Sequence, residues 1–197
     1  MSIGTKVAMA MSGMIALIVT LPAASANETD IIFGRDPLAD CATMAAQAET
    51  RGSATKMAVS VCDQAIDRAK DLREELAAAY INRSVLHLAR LEYAAAIADS
   101  DASLRVRRDW PQAMVNRGVA LSATGHFREA ADSFTGALAL NPAHPEIIYF
   151  NRALAREDSG DLKGAYLDYR KAAQLAPTWD EPKQQLARFT VAAPPVS

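Results

Sequence analysis

Hydrophobic positions fall three and four apart over most of the chain, a rhythm that predicts helix after helix. From Pro37 to Ala48, Ala, Leu and Met share one side of a helical projection. A second stripe follows in Ala58, Val61, Cys62, Ala65, Ile66 and Ala69, ahead of the charged stretch Arg68 to Glu75. Arg51-Gly52 is the turn-like spot between the two, so residues 37–50 and 54–70 read as the arms of one helical hairpin. Between 77 and 177 the rhythm continues, punctuated by Gly125, Gly160, Pro142 and Pro177, residue types that end helices. Thr178 with Glu181 three residues on is a capping-box signal for one more helix, with Trp179, Leu186 and Phe189 on one side of it.

The pattern repeats itself. Asn116-Arg117 recurs 34 residues earlier as Asn82-Arg83 and 35 residues later as Asn151-Arg152, while Ala130 recurs as Ala96 and Ala165. A period of this size marks a helical solenoid. In the clearest unit, Pro111 to Pro145, residues Gly118, Gly125, Phe127, Ala130, Phe134, Ala137, Leu140 and Pro142 hold the spacings by which two short antiparallel helices lock together. These residues resemble the tetratricopeptide repeat, a unit of about 34 residues that reads W-x2-L-G-x2-Y, then A-x3-F, A and P. Met114, Arg117 and Leu121 stand at its Trp, Leu and Tyr positions. The unit before it keeps Tyr80, Ser84 and Ala96 but departs at Ser100, Ser103 and Arg108; the unit after it carries Tyr149, Ala153, Gly160, Ala165, Tyr169, Ala172 and Pro177.

The resemblance implies an all-α, right-handed superhelical solenoid of antiparallel helix pairs that acts as a binding scaffold. It has three clear repeats at 77–110, 111–145 and 146–179. A degenerate pair at 37–76 serves as amino-terminal cap, and a helix at 180–190 as the lid that an end repeat needs. The first helix of each repeat then lines a concave wall. Asn82, Asn116 and Asn151 form a ladder of amides able to grip an extended peptide, flanked by Ile81, Val115 and Phe150 and by Val85, Val119 and Leu154. The alternative is that these amides bond neighbouring helices and bind nothing. Some relatives hold a terminal carboxylate with lysines and arginines on this wall, but none of the three first helices here contains Lys.

Arg83, Arg117 and Arg152 occupy a position where the family has Leu, so each requires a partner or an exit to solvent. Arg83 and Asp99 flank Leu91 symmetrically, and Arg152 and Asp168 flank Gly160 in the same way, which predicts an ion pair inside each of those repeats. In the middle repeat Ser133 stands at the matching place and Asp132 lies one residue off, predicting poorer pairing. An anion-binding row is the competing use of these arginines.

Composition narrows the function further. A chain of 197 residues with net charge −2 and no long single-sign block gives no electrostatic case for a nucleic-acid or membrane-surface partner. The run Arg105 to Arg108 beside Trp110 stands where a second helix ends, and cations there complement the helix dipole. Residues 1–26 read as a secretory signal: Lys6, a mostly apolar run Val7 to Leu21, and the small-x-small pattern Ala24-Ser25-Ala26. That run has 15 residues, short of the roughly 20 a spanning helix needs, so no membrane span is expected after removal. Residues 27–36 read as a leader loop and 191–197, with Pro194-Pro195, as a disordered tail.

Export to a periplasm or beyond the cell permits disulfides. Cys41 and Cys62 flank Arg51-Gly52 and come level across the hairpin, which predicts a bridge. The competing redox or metal pair lacks both a C-x-x-C and a nearby His. His87, His126 and His144 share no spacing, and no metal, cofactor or catalytic motif occurs. The expected protein is a non-enzymatic adaptor that holds a peptide segment or helix of an unidentified protein partner in envelope assembly. Its rivals are a self-associating subunit, hence a homo-oligomer, and an accessory subunit of an envelope enzyme.

Overall fold

In the computed structural model, which describes residues 36–189, helix follows helix and no strand occurs among those residues. The expected signal segment, the tail and all but the last residue of the leader lie outside them. The first pair, α1 (Pro37–Arg51) and α2 (Lys56–Arg68), is built almost without large side chains. Asp36 caps α1 by accepting from Leu38 N, Gly52 ends it at φ +64°, and Thr55 caps α2 by accepting from Ala58 N. Ala45, Ala48, Ala58 and Ala65 fill the seam, and Cys41 and Cys62, both fully buried, are joined across it by a disulfide. Closing a loop of this length restricts the unfolded chain by about 3 kcal/mol, which matters in a pair with so little apolar bulk.

Three further pairs follow: α3 (Arg73–Ala89) with α4 (Tyr93–Val106), α5 (Pro111–Ala123) with α6 (Phe127–Ala139), and α7 (Pro145–Asp158) with α8 (Leu162–Leu175). The elbow inside each pair places one residue in the left-handed region: Leu91 at φ +61°, Gly125 at +82° and Gly160 at +88°. Glycine does this freely, whereas Leu91 does it at a cost of about 1–2 kcal/mol, with its side chain left exposed.

One contact sets how closely the two helices of a pair approach. In the middle pair Gly118 faces the fully buried ring of Phe134, and a Cβ at Gly118 would stand 2.7 Å from Phe134 Cε1. Serines replace this knob in the preceding pair, where Ser84 and Ser100 hydroxyls lie 3.0 Å apart, and Ser84 Oγ also donates to Ala96 O. The following pair has Ala153 and Tyr169 at the same two positions, both buried.

The stack ends on α9 (Glu181–Leu186). Trp179, Leu186 and Phe189 pack on Phe150 and Tyr169, with the Trp179 and Phe150 ring centroids 4.8 Å apart. Arg188 bonds Glu157, which also accepts from the Tyr169 hydroxyl at 2.9 Å, fastening the lid to the last pair. The expected Thr178–Glu181 capping box is not made. The helix starts later, at Glu181 with Pro182 in its first turn, and no side chain caps it.

Candidate functional site

Each repeat-position arginine is held from two sides. Arg83 Nε and Nη2 donate to both oxygens of Asp99 at 2.8 and 2.6 Å, and its Nη1 donates to Asp63 of the preceding pair at 2.6 Å. Arg152 binds Asp168 in the same forked way, at 2.8 Å twice, and reaches back to Thr135 Oγ1 at 2.9 Å. Arg117 finds only the Ser133 hydroxyl in its own pair, at 2.7 Å, and its charge is met by Asp101 of the preceding pair at 2.8 Å.

The rule behind these contacts is positional. The acceptor inside a pair lies three residues after Ala96, Ala130 or Ala165, and the acceptor in the preceding pair five residues after Ala58, Ala96 or Ala130. In α8 the five-after place is Arg170, exposed and set against the Tyr166 ring; in α1 the place matching the arginines is the buried Ala45. The three guanidinia therefore pin successive second helices to one another and do not form an anion-binding row. The hydrogen bonds with Asp99 hold the Arg83 guanidinium charged well above its ordinary range, against the burial that opposes it.

The amides lie elsewhere than expected. Asn116 and Asn151 are 1% and 0% exposed, and Ile81, Val85, Val115, Val119 and Phe150 are buried with them, while Asn82 and Leu154 are half-buried. Adjacent residues on a helix point about 100° apart. With each arginine aimed at the second helices, the amide beside it turns into the interior. A peptide reaches Asn116 or Asn151 only by separating packed helices, so these residues are not a recognition rail. Asn116 Nδ2 has no hydrogen-bond partner among the described residues.

The surface offers a different feature. Where α5 and α7 begin, Pro111, Gln112, Val115, Pro142, Ala143 and Ile148, with His144 at the rim, enclose an apolar pocket of about 30 Å³. Two residues before Pro111, Asp109 belongs to a polar depression shared with Arg73, Glu74, Arg107 and Arg108. Arg107 pairs there with Glu74 at 3.0 Å and Asp109 at 3.6 Å and stacks on Trp110, 4.5 Å from the ring centroid.

Comparison with known proteins agrees with this architecture. The tetratricopeptide repeat family matches at residues 111–144 and 147–178. Two of the stacked helix pairs thus carry the tetratricopeptide repeat. Among solved structures, one described as "MamA RS-1 ArsTM double mutant" superposes with a TM-score of 0.62 over 78% of this chain and 83% of that one, at 20% identity, a likeness of fold. No curated protein matches the chain.

The histidines serve local bonds. His87 Nδ1 lies 2.7 Å from Glu92, His126 contacts Thr124, and His144 contacts Glu146. Hydrogen bonds from Arg90 and then His87 pull the Glu92 carboxyl down to about 2. Burial, reinforced by the Glu157 carboxylate, pushes the Tyr169 hydroxyl far above its usual range. No group of three or more potential metal ligands occurs among the described residues, and no helix there is long and apolar enough to cross a membrane. The apolar pocket was missed from sequence because Pro111 and Pro142 read as helix punctuation; their doubling as a pocket wall depends on how the inter-repeat loop folds back.

Proposed function

We propose that this protein is an exported, non-catalytic scaffold that docks a peptide segment or helix of a partner protein at the start of α5 and α7. The observation that carries this reading is the pocket of Pro111, Val115, Pro142 and Ile148, an apolar recess between two repeats with room for the tip of one side chain. The surrounding helices are locked by the arginine contacts, so the recess is preformed and docking costs little ordering. The Cys41–Cys62 bridge fits an oxidising compartment, which supports export. The repeat fold supplies stacked surfaces and the histidines are spent on local bonds, which supports a binding role over a chemical one.

The test is capture of partners from envelope extract by the chain starting at Asn27, compared with Ala143→Phe. Ala143 is exposed at the pocket mouth, so the new ring covers the recess and leaves the core alone. The expected result is loss of captured partner with helicity and melting temperature retained. Equal capture by the two proteins refutes docking at this pocket.

A further inference from the structure

The depression beside the pocket says what kind of partner fits. Its lining holds three arginines and two carboxylates, and both carboxylates, Glu74 and Asp109, are committed to Arg107. Arg73 spends its Nε on Val106 O at 2.9 Å, and among the described residues neither Arg73 nor the exposed Arg108 has a carboxylate partner. Two uncommitted guanidinia thus stand on the Trp110 side of an apolar recess, in a protein whose net charge is −2. The repeat-position arginines Arg83, Arg117 and Arg152, by contrast, are satisfied within the stack. Positive charge available to an incoming group thus stands next to the apolar pocket described above. Guanidinia pair best with carboxylates, which they meet through two parallel N–H donors.

We infer that the partner segment is an extended acidic peptide with an apolar anchor: a Leu-, Ile- or Pro-sized side chain in the recess lined by Pro111, Val115, Pro142 and Ile148, and an Asp or Glu a few residues away against Arg73 and Arg108. This rests on the docking pocket proposed above and adds its chemistry. Recognition uses side-chain carboxylates, so it does not require the peptide's own carboxyl terminus. The chain itself carries an exposed turn of this composition, Asp158 to Leu162, with Leu162 57% exposed, so a second copy is the natural competitor for the site.

The experiment is binding to an array of amidated ten-residue peptides that vary acidic, basic and neutral residues around a central Leu. The mature chain is compared with Ala143→Phe and with the double variant Arg73→Gln, Arg108→Gln, and light scattering is recorded in parallel. The inference expects retained peptides to be rich in Asp and Glu, binding to weaken at least tenfold in the double variant and to vanish in Ala143→Phe, and affinity to fall as salt rises. Binding that is lost in Ala143→Phe but shows no acidic preference and is unchanged in the double variant overturns this inference and leaves the pocket standing. Binding unchanged in both overturns the pocket as well. A concentration-dependent rise in mass that Leu162→Ser removes assigns the site to a second copy, and displacement of the peptides by a single-stranded oligonucleotide assigns the arginines to nucleic acid; either result overturns the acidic-peptide assignment.

Discussion

Replacing Asp168 by Asn tests whether the arginine contacts hold the stack together. Asp168 has a side chain 5% exposed and accepts from Arg152 twice and from Arg156 once, each at 2.8 Å. Asparagine keeps the shape but removes the charge and turns an NH2 toward two guanidinia whose side chains are only 12% and 26% exposed. Removing one partner of a buried ion pair costs about 3–5 kcal/mol, chiefly because the remaining charge stays buried without compensation. With a urea slope of about 2 kcal/mol per molar, the midpoint drops by about 2 M. Trp179 against Phe150 reports the last repeat directly, so the melt is followed by fluorescence in a Trp110→Phe background. Repeats couple mainly to their neighbours, so hydrogen exchange should quicken in α7 to α9 and hardly at all in α1 and α2. The control is Asp101→Asn, whose side chain is 39% exposed and accepts a single bond from Arg117; it should cost under about 1 kcal/mol. A loss below about 1 kcal/mol for Asp168→Asn, or equal losses for the two variants, refutes the reasoning.

Three other outcomes are expected. Leu91→Gly relieves a left-handed, exposed leucine and should raise stability by about 1 kcal/mol in a urea melt, against the usual penalty for glycine. Gly118→Ala gains about 1 kcal/mol of helix propensity but forces a Cβ into the Phe134 ring, where overpacking costs about 1–3 kcal/mol; it should come out neutral to destabilising, and Phe134→Leu should relieve it. Two pH limbs follow from the shifted groups. Glu92, depressed from 4.5 to about 2, contributes stability that is complete above 4.5 and fades as the pH falls toward 2. Tyr169, raised in the fold, contributes stability that is complete below its ordinary value of 10.0 and fades above it. Glu92→Gln should flatten the acid limb and Tyr169→Phe the alkaline one in melting temperatures taken across pH.

Local chemistry made the architecture readable. Ala96, Ala130 and Ala165 mark where second helices must come close, and Gly125 and Gly160 mark the elbows, because close approach and left-handed backbone each admit few residue types. The reach of Arg83, Arg117 and Arg152 into the preceding pair was not readable. Mirror symmetry about an elbow finds the partner inside a hairpin, but Asp63, Asp101 and Thr135 depend on how one hairpin stacks on the last. The same ignorance of helix rotation misplaced Asn116 and Asn151. Spacing shows that residues share a phase, and only packing shows whether that phase faces solvent or core.

The arginine contacts also count. Among the described residues, every unit after the first hands a guanidinium back to an acceptor on its predecessor, and α8 presents Arg170 at the receiving place. A further unit with an arginine at the repeat position, grafted beyond α8, would set two guanidinia against each other, so lengthening the stack in this way calls for an Asp or Thr at position 170.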